Sequence, residues 1–398
     1  MRVAGEVGLA EECVQDAYVA ALRAWARDGI PANPAAWLTT TARRKALDAL
    51  RRAETLRARR RLLAEPEAYE ADVAVETVPD DRLSLVFTCC HPALAREAQV
   101  ALTLRLICGV STADIAKAFL VSETTMAARI TRAKKKITAA RIPYRVPAPE
   151  ELPERLDAVL TVIHLLFTTG HTAPSGGRLV RSELVDRAAD LARMLRELMP
   201  DEPEVRGLLA LLLVNDARRA TRTDADGRLV LLAEQDRSQW DSDAIEEGHR
   251  LVVEALRAGG VGRFVLQAAI AALHARAPTY ADTDWPQMLV LYDALSAAWQ
   301  SPVVALNRAV VLAMVDGPAA ALAEVAALEH AGSLAGYHYL PAVKADLLRR
   351  LGRHSEAACA YRDAWETADN EAERAFLAAR RAEAASRGAC GPEEGAGD

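Results

Sequence analysis

Apolar side chains near the start of the chain fall at Val14, Ala17, Tyr18, Ala21, Leu22 and Trp25. The spacing i, i+3, i+4, i+7, i+8, i+11 predicts an amphipathic helix. The run at 28–34, rich in Gly, Pro and Asn, breaks it. Leu38, Ala42, Ala46, Ala49 and Leu50 then predict a second helix from about residue 35 to 61, with basic residues beside the apolar side. Residues 65–79 read as a linker, and helices are expected again near 80–90 and 92–108. Ser111 can cap a short helix with Asp114 three positions on, and Ser122 can cap another soon after Phe119. Two short helices joined by about three residues form the helix-turn-helix pattern. In the second of them Met126, Ile130, Ala133 and Ile137 share one face, expected to pack on Ile115 and Phe119. Thr125, Arg129, Arg132 and Lys136 line another face, from which they could reach phosphates and base edges. A capped helical hairpin with a basic surface has the same pattern, but the paired caps, tight turn and Arg/Lys stripe together favour DNA binding.

The character changes after the proline-rich stretch 143–149, which marks a domain boundary. Beyond it the chain reads as helices punctuated by Gly and Pro. Residues 307–322 echo residues 342–357 at a shift of 35, with a glycine repeated at Gly317 and Gly352. A period near 34 residues with small residues at each helix crossing resembles the tetratricopeptide repeat. The copy at 345–361 is the clearest and the others are degenerate. The tail, 388–398, is small and acidic and is expected to be disordered.

Composition narrows the fold class. Hydrophobic residues make up 51% of the 398 positions and charged ones 26%, enough for a core, while aromatics are only 5%. The abundance of Ala, Leu, Arg and Glu predicts an all-α protein. The longest uninterrupted apolar stretch, 208–214, is far short of the roughly 18 residues that suggest a membrane span. The start lacks the apolar core of a secretory signal, so the protein is expected in the cytoplasm, away from membranes.

The net charge of −6 conceals an asymmetry. Residues 43–61 hold nine Lys/Arg against two acids, a balance of +7, and residues 96–145 hold ten against three, again +7. The stretch between them, 62–95, carries −6, and residues 146–398 carry −12. Two basic islands joined by an acidic linker suggest two nucleic-acid contacts followed by an acidic module. Charge alone does not separate this from solvated basic helices.

Little else suggests catalysis. Six cysteines are scattered without a C-x-x-C pair, and Cys89-Cys90-His91 reads as buried structural thiols rather than a metal site. The run 224–228 has the look of a calcium loop without its closing Glu and further oxygens, so a hydrogen-bonded loop is the better reading. Residues 175–178 are too few to cradle a phosphate, the eight histidines show no ligand spacing, and no nucleophile sits paired with a base. The chain is not expected to be an enzyme, and neither a metal nor a cofactor is expected.

Taken together, these stretches resemble a bacterial RNA polymerase sigma factor of the extracytoplasmic-function class, in the subgroup with a tetratricopeptide-like C-terminal extension. Residues 12–18 with 36–52 look like sigma region 2, residues 87–136 look like region 4, and residue 148 onward, including 198–204 and 235–240, is similar to the extension. The resemblance implies that Gln15 and Asp16 lie on a helix docking on the polymerase core. It implies that Trp37, Arg43, Arg44 and Lys45, with the loop 28–34, engage the melted −10 element. It places residues 122–136 in the major groove of the −35 element, with Ser122, Thr124, Thr125, Arg129, Arg132, Lys135 and Lys136 as contacts. The expected domains are sigma region 2 at 1–62, an acidic linker at 63–79, region 4 at 80–142, a hinge at 143–149, the helical-repeat domain at 150–387 and the tail at 388–398. Because another helix normally precedes this region 2 segment, region 2 is expected to be truncated at its N-terminus and locally unstable, with Val14, Leu22 and Trp25 short of a packing partner. The partners implied are the polymerase core, promoter DNA and a protein contact at the C-terminal domain. The rival readings are a helix-turn-helix regulator independent of polymerase and a tetratricopeptide adaptor.

Overall fold

The computed structural model describes residues 3–4, 7–60, 82–107, 109–119, 121–177 and 179–389. The linker and tail predicted at 63–79 and 388–398 fall outside them, apart from the linker's flanking helix ends and residues 388–389. Among the described residues the regular structure is helical, with no β-strand. In chain order the helices are α1 (Val7–Asp28), α2 (Pro34–Arg60), α3 (Arg82–Cys89), α4 (Arg96–Leu106), α5 (Thr112–Ala118) and α6 (Glu123–Ala139). They continue with α7 (Leu152–His171), α8 (Ser182–Leu198), α9 (Pro203–Asp216), α10 (Ser242–Arg257), α11 (Arg263–Arg276) and α12 (Trp285–Ala298). The last five are α13 (Pro302–Val315), α14 (Pro318–Ala331), α15 (Tyr339–Arg350), α16 (His354–Thr367) and α17 (Glu371–Ala389). Two compact units result: Met1–Gly109 with Glu123–Val159, and Val110–Ser122 with Leu160–Asp398. The helix-turn-helix is thus shared, α5 with the C-terminal unit and α6 with the N-terminal one.

In the N-terminal unit α1 packs along α2. Gly29, at φ 82°, ends α1 in a conformation that disfavours side chains. Asn33 then caps α2, its Oδ1 accepting from the Ala36 amide at 3.0 Å, with Pro34 at the first helical position. The residues that α1 and α2 bury are small: Cys13, Ala17, Ala21 and Ala46. Val14, Tyr18 and Leu22 of the predicted stripe are exposed, Leu22 at 76%. Trp25 meets Trp37 edge to face, ring centres 5.5 Å apart. A second core gathers α3, α4 and α6 around Phe87, Leu102, Leu104 and Met126. The turn at residues 90–91 is tied down by Gln99, whose side-chain amide donates to the carbonyls of His91 and Leu94. Cys89 and Cys90 are buried thiols, as expected for a structural pair.

The C-terminal unit is organised on α9, which buries Leu208, Leu209, Ala210, Leu211, Leu212 and Leu213 among α8, α10 and α11. That explains the run of leucines: a helix covered on most sides needs no polar face. Gly207 lets α11 approach, since a Cβ there would stand 2.5 Å from the Val265 amide nitrogen. Glu204, from the stretch 198–204, reaches across so that its carboxylate accepts the amides of Phe264 and Val265 at 3.1 Å each, capping the start of α11. Burial pushes the Glu204 carboxyl above its ordinary range despite those bonds.

From α12 to α17 each helix packs on the next. Ala309, Ala313 and Ala321 are buried where α13 crosses α14, and Ala345, Ala357 and Ala364 where α15 crosses α16. The 35-residue echo is therefore structural: α13–α14 and α15–α16 are equivalent helical hairpins, turned by Gly317 at φ 90° and Gly352 at φ 75°. The run at 224–228 is a closed loop, with Asp224 Oδ1 accepting from the amides of Asp226 and Arg228.

Candidate nucleic-acid interface

Helix α6 divides along its length. Met126, Ile130, Ala133 and Ile137 are buried, and inside the unit α4 and α1 supply the surface they meet. The polar side carries Thr124, Thr125, Arg132, Lys135 and Lys136, all exposed, with Arg129 half-buried among them; Ser122, also exposed, immediately precedes the helix. Arg132 Nε also lies 3.4 Å from the Ala128 carbonyl, which keeps its stem against the helix. Lys134, which the sequence pattern did not single out, points the other way and pairs with Glu11 of α1 at 2.5 Å. No spacing rule could have found that pair, whose members are more than a hundred residues apart.

The first helix of the motif is fixed more firmly. Ser111 Oγ accepts the Asp114 amide at 3.0 Å, the predicted N-cap. The Asp114 carboxylate is nearly buried and receives Ser175 Oγ at 3.0 Å and Arg181 Nη1 at 2.9 Å. Burial by itself raises such a carboxyl, but hydrogen bonds from Arg181, Ser111 and Ser175 outweigh it and hold Asp114 below its ordinary range. Lys117 adds an ion pair to Asp369 at 3.1 Å. Asp114 thus has two roles, as a residue of the cap sequence and as the anchor of α5 on the C-terminal extension; sequence showed only the first.

On α2, Arg43 and Arg44 are exposed and Lys45 is half-buried. Trp37 is half-buried against Trp25. Gln15 and Asp16 stand exposed on α1, and Asp16 pairs with Lys45 at 3.3 Å. One residue assigned to polymerase and one assigned to DNA are therefore in contact. The pair is solvent-exposed, so it contributes little stability, about 0–1 kcal/mol, and either member can exchange it for a partner at small cost. No described helix is long and apolar enough to cross a membrane.

Residues 1–55 match the family described as Sigma-70 region 2, and residues 84–137 match Sigma-70, region 4. Residues 155–256, from within α7 almost to the end of α10, match a family of unknown function, DUF6596. An uncharacterized protein of Rhizobium meliloti (strain 1021), R00370, is 43% identical over 383 residues, covering 95% of this chain and 90% of the relative. The crystal structure of yeast Tom70 is similar at 12% identity and a TM-score of 0.39, over 98% of this chain and 82% of that one, a likeness too loose to bear on function. Both sigma segments occur in order, α1–α2 in the first and α3–α6 in the second, ahead of a long all-helical extension. The chain accordingly belongs to the sigma-70 family, as a sigma factor of the extracytoplasmic-function type that carries a helical-repeat extension.

Proposed function

We propose that this sigma factor directs RNA polymerase to its promoters through the exposed side of α6, in the cytoplasm and without a cofactor, and that its extension modulates that act through protein contacts. The observation that carries the reading is the division of α6: four apolar side chains seat it, and hydroxyls and cations occupy the opposite side. Ser122, Thr124, Thr125, Arg129, Arg132, Lys135 and Lys136 would lie in the −35 major groove, where cations neutralise phosphates and Arg reads guanine. Trp37, Arg43, Arg44 and Lys45 would meet the −10 element, and Gln15 and Asp16 the polymerase core. The Asp114–Arg181 bond supports a modulating extension, because the extension holds one helix of the DNA-reading motif.

The test is run-off transcription by core polymerase on the gene's own promoter, with binding followed across a salt titration. Arg132→Ala should lower the salt slope by about 1 if it contacts phosphate, or cost roughly 1–3 kcal/mol if it contacts a base, with helix content unchanged. Asp114→Asn, which weakens the hold on α5, should change transcript yield with core polymerase alone. Full affinity in Arg132→Ala at every salt concentration would falsify the groove assignment, and unchanged yield in Asp114→Asn would count against a modulating extension.

A further inference from the structure

The C-terminal unit holds a half-open pocket of about 600 Å³. Its wall comes mainly from α9, α11, α12, α13, α15 and α17. Trp240, Tyr280, Trp285, Tyr292 and Phe376 make it aromatic. A space of this size and lining is typical of small-molecule sites, which run from about 300 to 1,000 Å³ and place a few polar groups among apolar walls.

The charged groups in the wall are unequal. Asp346 is neutralised by Arg349 at 2.6 Å, and Arg380 by Glu383 at 3.0 Å. His274 is kept neutral, its pKa lowered to about 4 by burial first and by Arg237 and Arg218 second. Arg350 donates to the Ala313 carbonyl. Arg218 has neither an ion pair nor a hydrogen-bond acceptor for its guanidinium among the described residues, and the charges pressing on it are the cations Arg222 and Arg237. Its neighbours in sequence differ: Arg219 is held by Asp216 and Asp186, and Arg222 by the His171 carbonyl and Thr172 Oγ1. Burial and those two cations lower even Arg218 to about 10. Arg218 is half-buried in the wall of the pocket, and a guanidinium that finds no acceptor among the described residues offers its N–H groups to an anion that the chain does not itself provide. Tyr292, half-buried, stands in the same wall, its hydroxyl without a hydrogen-bond partner among the described residues.

We infer that this cavity is a binding site for a small organic acid with an aromatic or branched apolar body, its carboxylate on Arg218 and its body among Trp285, Tyr292 and Phe376. The planar guanidinium presents two parallel N–H groups that match a carboxylate, which favours a monoanion over a neutral ligand. The inference goes beyond the promoter-binding role and stands whether or not α6 reads DNA.

Calorimetric titration of the full chain with 4-phenylbutyrate, and with 4-phenylbutanol as its uncharged counterpart, tests it without polymerase or DNA. The acid should bind one to one and about tenfold tighter than the alcohol, the difference expected of one charge-assisted bond. Arg218→Met should erase that preference without lowering the melting temperature, because it removes a repelled cation. Arg228→Gln, exposed and outside the cavity, should bind like the parent. On the unaltered protein, the acid but not the alcohol should slow amide exchange in residues 214–222 and 267–275, a readout that needs no variant. Equal affinity for acid and alcohol, no saturable binding of either, or acid binding undiminished in Arg218→Met overturns the inference. So does recognition of an acidic peptide with no response to the small acid.

Discussion

Two helix pairs, the short α15–α16 and the longer α1–α2, use their apolar residues differently. In α15–α16, Leu347, Leu348 and Tyr361 are buried along with the alanines, so the large apolar side chains serve the fold itself. In α1–α2 the buried residues, among those described, are Cys13, Ala17, Ala21 and Ala46, while Val14, Tyr18 and Leu22 face outward. The repeat hairpins spend their apolar surface on their own neighbours; the sigma pair holds its larger residues out. Small residues suffice to bring two helices together, and the surplus on α1 is available to another surface.

The sharpest way to probe this contrast is pH. His171 is lowered to about 2 and His164 to about 4, each mainly by burial, and His274 is lowered similarly. The unfolded chain takes up protons on all three below about pH 6.5, whereas the folded chain resists until pH 4 or lower. Stability of the C-terminal unit is therefore fully present above 6.5 and lost as pH falls, by up to roughly 4 kcal/mol per pH unit for the three together. Urea melts from pH 7 to 5 should show it, and His171→Gln should flatten the slope by about a third. A pH-independent midpoint would show that these histidines are not held neutral.

Next in size is Leu208→Ala. The side chain is fully buried in α9, so the loss should be about 2–5 kcal/mol in the C-terminal unit. The smallest effect belongs to Leu22→Ser, expected within about 0.5 kcal/mol of the parent in thermal melts despite the removal of a leucine. If Leu22→Ser is as damaging as Leu208→Ala, the contrast between the two regions fails.

Much of this was legible in the sequence because it is local. The cap at Ser111 and the period of α6 each depend on residues within one or two turns of each other, and the 35-residue echo is a repetition of such local pattern. The exposed cations of α6 followed from the same period that buried Met126 and Ile130. What sequence could not disclose was set by side chains distant in the chain. Asp114 meets Arg181 across 67 positions, Glu204 caps a helix 60 positions on, and the pocket draws on seven helices. Arg218 was indistinguishable by sequence from Arg219, although Arg219 is paired twice and Arg218 finds no acceptor among the described residues. The direction of an arginine depends on which helix passes it, and no periodicity encodes that.

The matched glycines at 317 and 352 have a consequence for how the chain can change length. Both follow the end of a helix by two residues and both take a positive φ. Excising residues 318–352 would join Asp316-Gly317 to Arg353-His354 and leave α13 turning directly into α16 through an intact glycine bend. The array can be shortened or extended in steps of one whole hairpin without disturbing the phase of what remains, whereas a loss of any other length would rotate every later helix. Growth of this extension is thus quantised, and the glycine marks the unit.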